Sequence, residues 1–130
     1  MKLSDCIPKD KHDLDAVANA TALGYPAIDP ILPQLLEWLQ DGNWSVAGKV
    51  MTLLAKAGPE ISRHLSAILN SDDDFWKYWI LDSPITDALS QEAWLLIEPD
   101  VVRIARHPTG GEKLEDVDEL AKNVLAQRTR

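Results

Sequence analysis

Apolar residues recur at helical spacing along nearly the whole chain, and glycine, proline and acidic residues fall where each stripe stops or restarts. Between about His12 and Leu23, the residues Leu14, Val17, Ala18, Thr21 and Ala22 follow the i, i+3, i+4, i+7, i+8 pattern, and Gly24 ends it. Asp29 and Pro30 open a second stripe, Ile31, Leu32, Leu35, Leu36 and Leu39, which stops at Asp41-Gly42. A third helix starts at Asn43 or Trp44, carries Val46, Val50, Leu53 and Leu54, and closes at Gly58-Pro59. The fourth runs from Pro59 through Ile61, Leu65 and Ile68 to Asn70.

Asp72, Asp73 and Asp74 suit the N-terminus of a fifth helix, because their charge meets the positive end of the helix dipole; Ser83-Pro84 breaks the pattern that follows. Ser90 caps a sixth segment whose run past Pro99 reads equally as one kinked helix or as two. His107 to Gly111 reads as a loop, and Glu112 to Gln127 as a last helix with Leu114, Val117, Leu120, Ala121, Val124 and Leu125 on one side. Lys122, Arg128 and Arg130 complement the dipole at its end. No stretch alternates long enough to make a strand.

The stripes repeat. Leu35 to Trp44 compares with Leu65 to Trp76: an apolar helix ends, an acidic turn intervenes, and a helix begins around a tryptophan. The period is about thirty to thirty-two residues, and such pairs cannot bury their stripes alone, so they must stack and share a core. The expected fold is all-α: an α-α superhelix of about three stacked helix pairs plus a C-terminal capping helix, HEAT-like in organisation. At 130 residues it forms a single domain, with residues 1–10 an irregular N-terminal segment.

Three blocks carry a resemblance: Ile7 to Asp13, Asp41-Gly42-Asn43-Trp44-Ser45-Val46-Ala47, and Asp72-Asp73-Asp74-Phe75-Trp76-Lys77-Tyr78-Trp79. They resemble the recurring blocks of a bacterial family catalogued as a domain of unknown function, all-helical and HEAT-like, and the similarity spans nearly the entire chain. Ser45 departs from the family, which often has proline after the tryptophan. The resemblance implies a fold and assigns no catalytic residue.

Charge is uneven. The formal net charge is -8, and residues 71–100 hold one basic and eight acidic residues. A chain of this sign repels the phosphates that a nonspecific nucleic-acid binder neutralises, so no nucleic-acid partner is expected. If the acids share a surface with the aromatic helix Phe75 to Leu81, that surface attracts a basic partner. Whether that helix is sandwiched between neighbours or shows its aromatic residues to solvent stays open, since its apolar residues leave no clean polar face.

Reactive constellations are missing from the sequence. Cys6 is the lone cysteine, which excludes an internal disulfide, and it falls in a segment expected to be mobile. The acidic triplet lacks the glycine and distal glutamate of a calcium loop, the three histidines have no ligand spacing, and neither a nucleophile elbow nor a phosphate loop occurs. No cofactor and no metal are therefore expected. No apolar run reaches the length of a signal peptide core or of a membrane span, so the expected compartment is the cytoplasm, with no membrane partner.

The leading expectation is a noncatalytic module binding a protein or peptide, with Trp44, Asp72, Asp73, Asp74, Trp76, Lys77, Tyr78 and Trp79 as the contact region. Two alternatives stand beside it. One is an immunity or inhibitor protein that neutralises a basic toxin; the other is a HEAT-like enzyme acting on nucleic acid, such as a DNA glycosylase, which needs a basic groove that this chain's charge disfavours.

Overall fold

Most local signals of the sequence resolve into helix boundaries with a physical cause. The computed structural model describes residues 1–128, within which there are nine α-helices and no strand. They are α1 (Leu14–Leu23), α2 (Leu32–Leu36), α3 (Ser45–Leu54), α4 (Ile61–Leu69), α5 (Asp74–Leu81), α6 (Pro84–Ala88), α7 (Gln91–Arg106), α8 (Gly110–Leu114) and α9 (Val117–Arg128). Arg130 lies outside the described residues. Among the described residues, no helix is long and apolar enough to cross a membrane.

Capping follows the sequence closely. Asp13 accepts from the Ala16 amide, Asp73 from that of Trp76 and Ser90 from that of Ala93, each satisfying an orphan donor of the first turn. Gly24 ends α1 with φ 69°, the left-handed region open to glycine. Between Asp29 and Leu39, short 3-10 turns flank α2 on both sides, yet the stripe from Ile31 to Leu39 is buried as its spacing requires.

At other points the structure adds to the sequence expectations or departs from them. Ser83-Pro84 follows the end of α5 at Leu81, as expected, and in addition starts a new helix, because proline at the first helical position forfeits an N–H that would be unpaired anyway. Helix α7 is continuous through Pro99, which decides between the two readings left open by the sequence; the carbonyl that loses its donor belongs to Leu95, on a flank where Leu95 and Leu96 are exposed. The final helix is split by Asp116 at φ 60°, Gly110 and Gly111 join the shorter piece, and Leu114 is 80% exposed. Cys6, expected in a mobile segment, lies in a 3-10 turn against α1 and is fully buried, which pushes its thiol pKa up.

Packing shows why the helices recur. At the N-terminal ends of α1 and α3, the Val46 amide donates to the Lys11 carbonyl at 3.0 Å and His12 Nδ1 lies 3.0 Å from Ser45 Oγ. At their C-terminal ends, Tyr25 donates its hydroxyl to the Leu53 carbonyl at 2.9 Å. The two helices therefore lie side by side and parallel. Burial pushes the Tyr25 pKa up to about 12, which keeps that donor protonated.

Helices α4 and α7 repeat the arrangement. Ser62 Oγ donates to the Ala93 carbonyl at 2.9 Å, Ser66 Oγ to Asp100 at 2.7 Å, and Arg103 reaches the Leu69 carbonyl at 3.4 Å. These cross-links join residues 28 to 35 apart, a span that brackets the interval at which the sequence repeats. One apolar core runs through the stack, and α9 closes its end against α7 and α5. The accessible surface, 6921 Å², equals the ~6,900 Å² of a compact monomer of this mass.

Helix α1 is rotated relative to its expected face. It buries Ala16, Val17 and Ala20, while Leu14, Ala18, Thr21 and Ala22 face solvent. The N-terminal 3-10 turn decides this, since it covers the small-residue side and Asn19 anchors it by donating to the Asp5 carbonyl at 2.9 Å.

Candidate functional site

Helix α5 holds most of the residues singled out in the sequence, and the structure sends them in different directions. Trp76 is half-buried and donates its indole N–H to the Leu36 carbonyl at 3.0 Å, tying α5 to α2. Tyr78 and Trp79 meet edge to face, with ring centroids 5.3 Å apart. Trp44 pairs in the same way with Trp38 at 5.6 Å, apart from them. Phe75 alone on this helix stands clear, 60% exposed. The aromatic residues thus form several packing contacts and no single exposed face.

Trp79 also explains a glycine. Its ring lies flat on Gly42, so that any Cβ at that position would enter the indole. Gly42→Ala is expected to cost ~1–3 kcal/mol, the usual penalty of overpacking, and to shift the tryptophan emission. Thermal unfolding followed by fluorescence checks it, and an unchanged midpoint would show that the ring moves freely.

Lys77, expected on the contact surface, is instead buried at 2% exposure. It is drawn inward by two carboxylates: its ammonium lies 3.0 Å from Asp74 Oδ1 and 2.9 Å from Glu112 Oε2. Glu112 is fully buried and is gripped from its other side by Arg103, at 2.9 Å and 2.7 Å in a bidentate pair. The Thr109 amide also donates to Glu112, while the Glu112 amide donates back to the Thr109 hydroxyl, a capping box that starts α8. Burial alone would raise the Glu112 pKa, but the bonds from Arg103, Lys77 and Thr109 outweigh it and hold the carboxyl at about 2.

Above this cluster lies an open hollow of about 430 Å³, where the C-terminal end of α4 meets α5, α7 and the start of α8. Asp72, Asp74, Lys77, Arg103 and Thr109 line it with Asn70 and Ser71. Of the expected contact residues, Asp72, Asp74 and Lys77 meet here; Asp73 is spent on capping α5, and Trp44, Trp76, Tyr78 and Trp79 do not line the hollow. Both cations in the lining are already paired, and Asp74 binds Lys77 through Oδ1 while its Oδ2 packs against Gly111, so the groups left most open to a visitor are Asp72 and neutral polar atoms. Among the described residues, no group of three or more His, Cys, Asp or Glu side chains is arranged to hold a metal ion.

Glu112, Arg103 and Asp100 escaped the sequence reading. A signal for one of them was present: Thr109-Gly110-Gly111-Glu112 has the spacing of a capping box, which fixes where a glutamate turns back. Arg128 was likewise read as a dipole complement only. Its guanidinium covers the Trp94 ring at 4.9 Å and donates to the Leu89 carbonyl at 3.1 Å, clasping α9 to the α6–α7 turn.

Fold and site together define a small all-helical domain of side-by-side helices with a buried charge cluster beneath an acidic hollow. The chain belongs to the family described as a domain of unknown function, DUF5071, which matches residues 6–125. No curated protein matches the chain.

Proposed function

We propose that this chain is a noncatalytic, HEAT-like interaction module that binds a basic protein or peptide in a bacterial cytoplasm. A Lys or Arg side chain of the partner enters the hollow beside Asp72 and Asp74, and Phe75, in the same helical turn as Asp74, packs on the partner's apolar flank. The observation that carries this reading is the pairing inside the hollow: Lys77 and Arg103 are neutralised by Glu112 and Asp74, which leaves Asp72 facing the opening unpaired among the described residues. The surplus of acids in residues 71–100 steers a cation toward it. Exposed Phe75 supplies the kind of aromatic anchor on which interfaces concentrate their energy.

The test uses variants that spare the packing. Trp76 and Lys77 are unsuitable because both hold the fold together; Asp72→Arg and Phe75→Ala alter exposed groups. In an amide-resolved NMR titration with a short Arg- and Lys-rich synthetic peptide, the expected shifts cluster at residues 70–75, Arg103 and Thr109. Asp72→Arg abolishes them at unchanged thermal stability. Shifts scattered over the whole acidic surface, or equal binding by Asp72→Arg, overturn the reading.

A further inference from the structure

The rotation of α1 leaves the stripe Leu14, Ala18, Thr21 and Ala22 outside the core, and this stripe forms one wall of a groove of about 640 Å³ along α3. Val17 and Leu53 form the floor, and the α3 side carries Lys49, Thr52 and, in the turn that follows, Lys56. The groove is apolar at its base and basic along one rim. We infer that it docks an acidic amphipathic helix of a partner protein, at a site separate from the acidic hollow and independent of it.

Three features favour a helix as occupant. The two walls are parallel helices of ten residues, so the groove runs ~15 Å, about three turns of a third helix lying along them. Its walls carry small side chains, Ala18, Thr21, Ala22 and Thr52, which let another backbone come close while larger residues of the visitor reach Val17 and Leu53. It is also open to solvent along its length, whereas sites for small molecules usually enclose most of the ligand.

Charge selects an acidic helix. Lys49 and Lys56 form no salt bridge among the described residues, in a chain that has eight more acids than bases. They are two helical turns apart, ~10 Å, which matches carboxylates at i and i+7 on a facing helix. Asp15, the single acid in the lining, is on the opposite wall, so a basic residue on the visitor's other flank would fix its orientation. A basic helix would face two lysines, and a neutral one would leave them unpaired.

The experiment uses the full chain and two synthetic sixteen-residue helical peptides with the same Leu/Ala face, one with Glu at i and i+7 and the other with Lys there. Amide-resolved NMR titration should show the Glu peptide shifting residues 14–22 and 49–56, with affinity falling as salt rises. Lys49→Glu with Lys56→Glu should weaken the Glu peptide by roughly tenfold and favour the Lys peptide. Asp72→Arg, which removes the other proposed contact, should leave this binding intact. Equal binding of both peptides, no shifts in α1 and α3, tighter occupation by decanoate, or self-association of the chain that Ala18→Arg abolishes would each overturn the inference.

Discussion

Replacing Glu112 by Ala is expected to lower the stability of the folded chain by ~3–5 kcal/mol at neutral pH, because it leaves buried Lys77 with Asp74 as its one remaining carboxylate and deprives Arg103 of its bidentate partner. A domain of this size loses ~3–5 °C of melting temperature per kcal/mol, so the change is large against a typical total of ~5–15 kcal/mol. Urea midpoints check it, and a loss below ~1 kcal/mol would mean that water reaches the cluster. The double variant Lys77→Met, Glu112→Leu should recover much of the loss, since an apolar pair of similar volume carries no desolvation cost. Acid gives an independent reading. The folded carboxyl titrates at about 2 against an ordinary value of 4.5, so its contribution is complete above pH 4.5 and disappears as pH falls toward 2. The acid-unfolding profile of Glu112→Gln should be flatter than wild type across that window.

Leu65→Ala is expected to be comparably severe, at ~3–5 kcal/mol. Leu65 is fully buried in the middle of α4, which packs against α7 on one side and α2 on the other. Its removal leaves a cavity that rigid helices on both flanks cannot collapse to fill. Because one core runs through all the helix pairs, the loss should appear in a single cooperative transition, identical by fluorescence and by circular dichroism. Separate transitions for the two halves would show that the pairs unfold independently.

Much of this architecture was legible in the residues. Leu32, Leu35 and Leu36, or Ile61, Leu65 and Ile68, reveal their buried side by spacing alone, and the caps at Asp73 and Ser90 by residue type. Helix α1 shows the limit. Its apolar and its small residues lie on two adjoining faces, and the choice between them was made by a 3-10 turn formed by Leu3 to Cys6. The candidate site was half legible. Asp72 and Asp74 announced themselves as a run of charge, whereas Arg103 and Glu112 reach the same point from two further helices, α7 and α8, more than twenty-five residues further along. No local pattern records that meeting. Lys77 was misread for a related reason: a lysine next to aspartates on a short helix looks solvated until a carboxylate from elsewhere arrives to draw it in.

The serine, asparagine and aspartate links between α4 and α7 carry a consequence for how the repeats settle against one another. Leucines facing leucines are forgiving, and one greasy cylinder can slip along another by a turn while still hiding similar area. A slip of that size here would part Asp100 from Ser66 and Asn70, pull Arg103 off the Leu69 carbonyl, and leave these groups unpaired in a half-buried seam. Those few polar teeth act as a detent, admitting one alignment of the coils and penalising its neighbours.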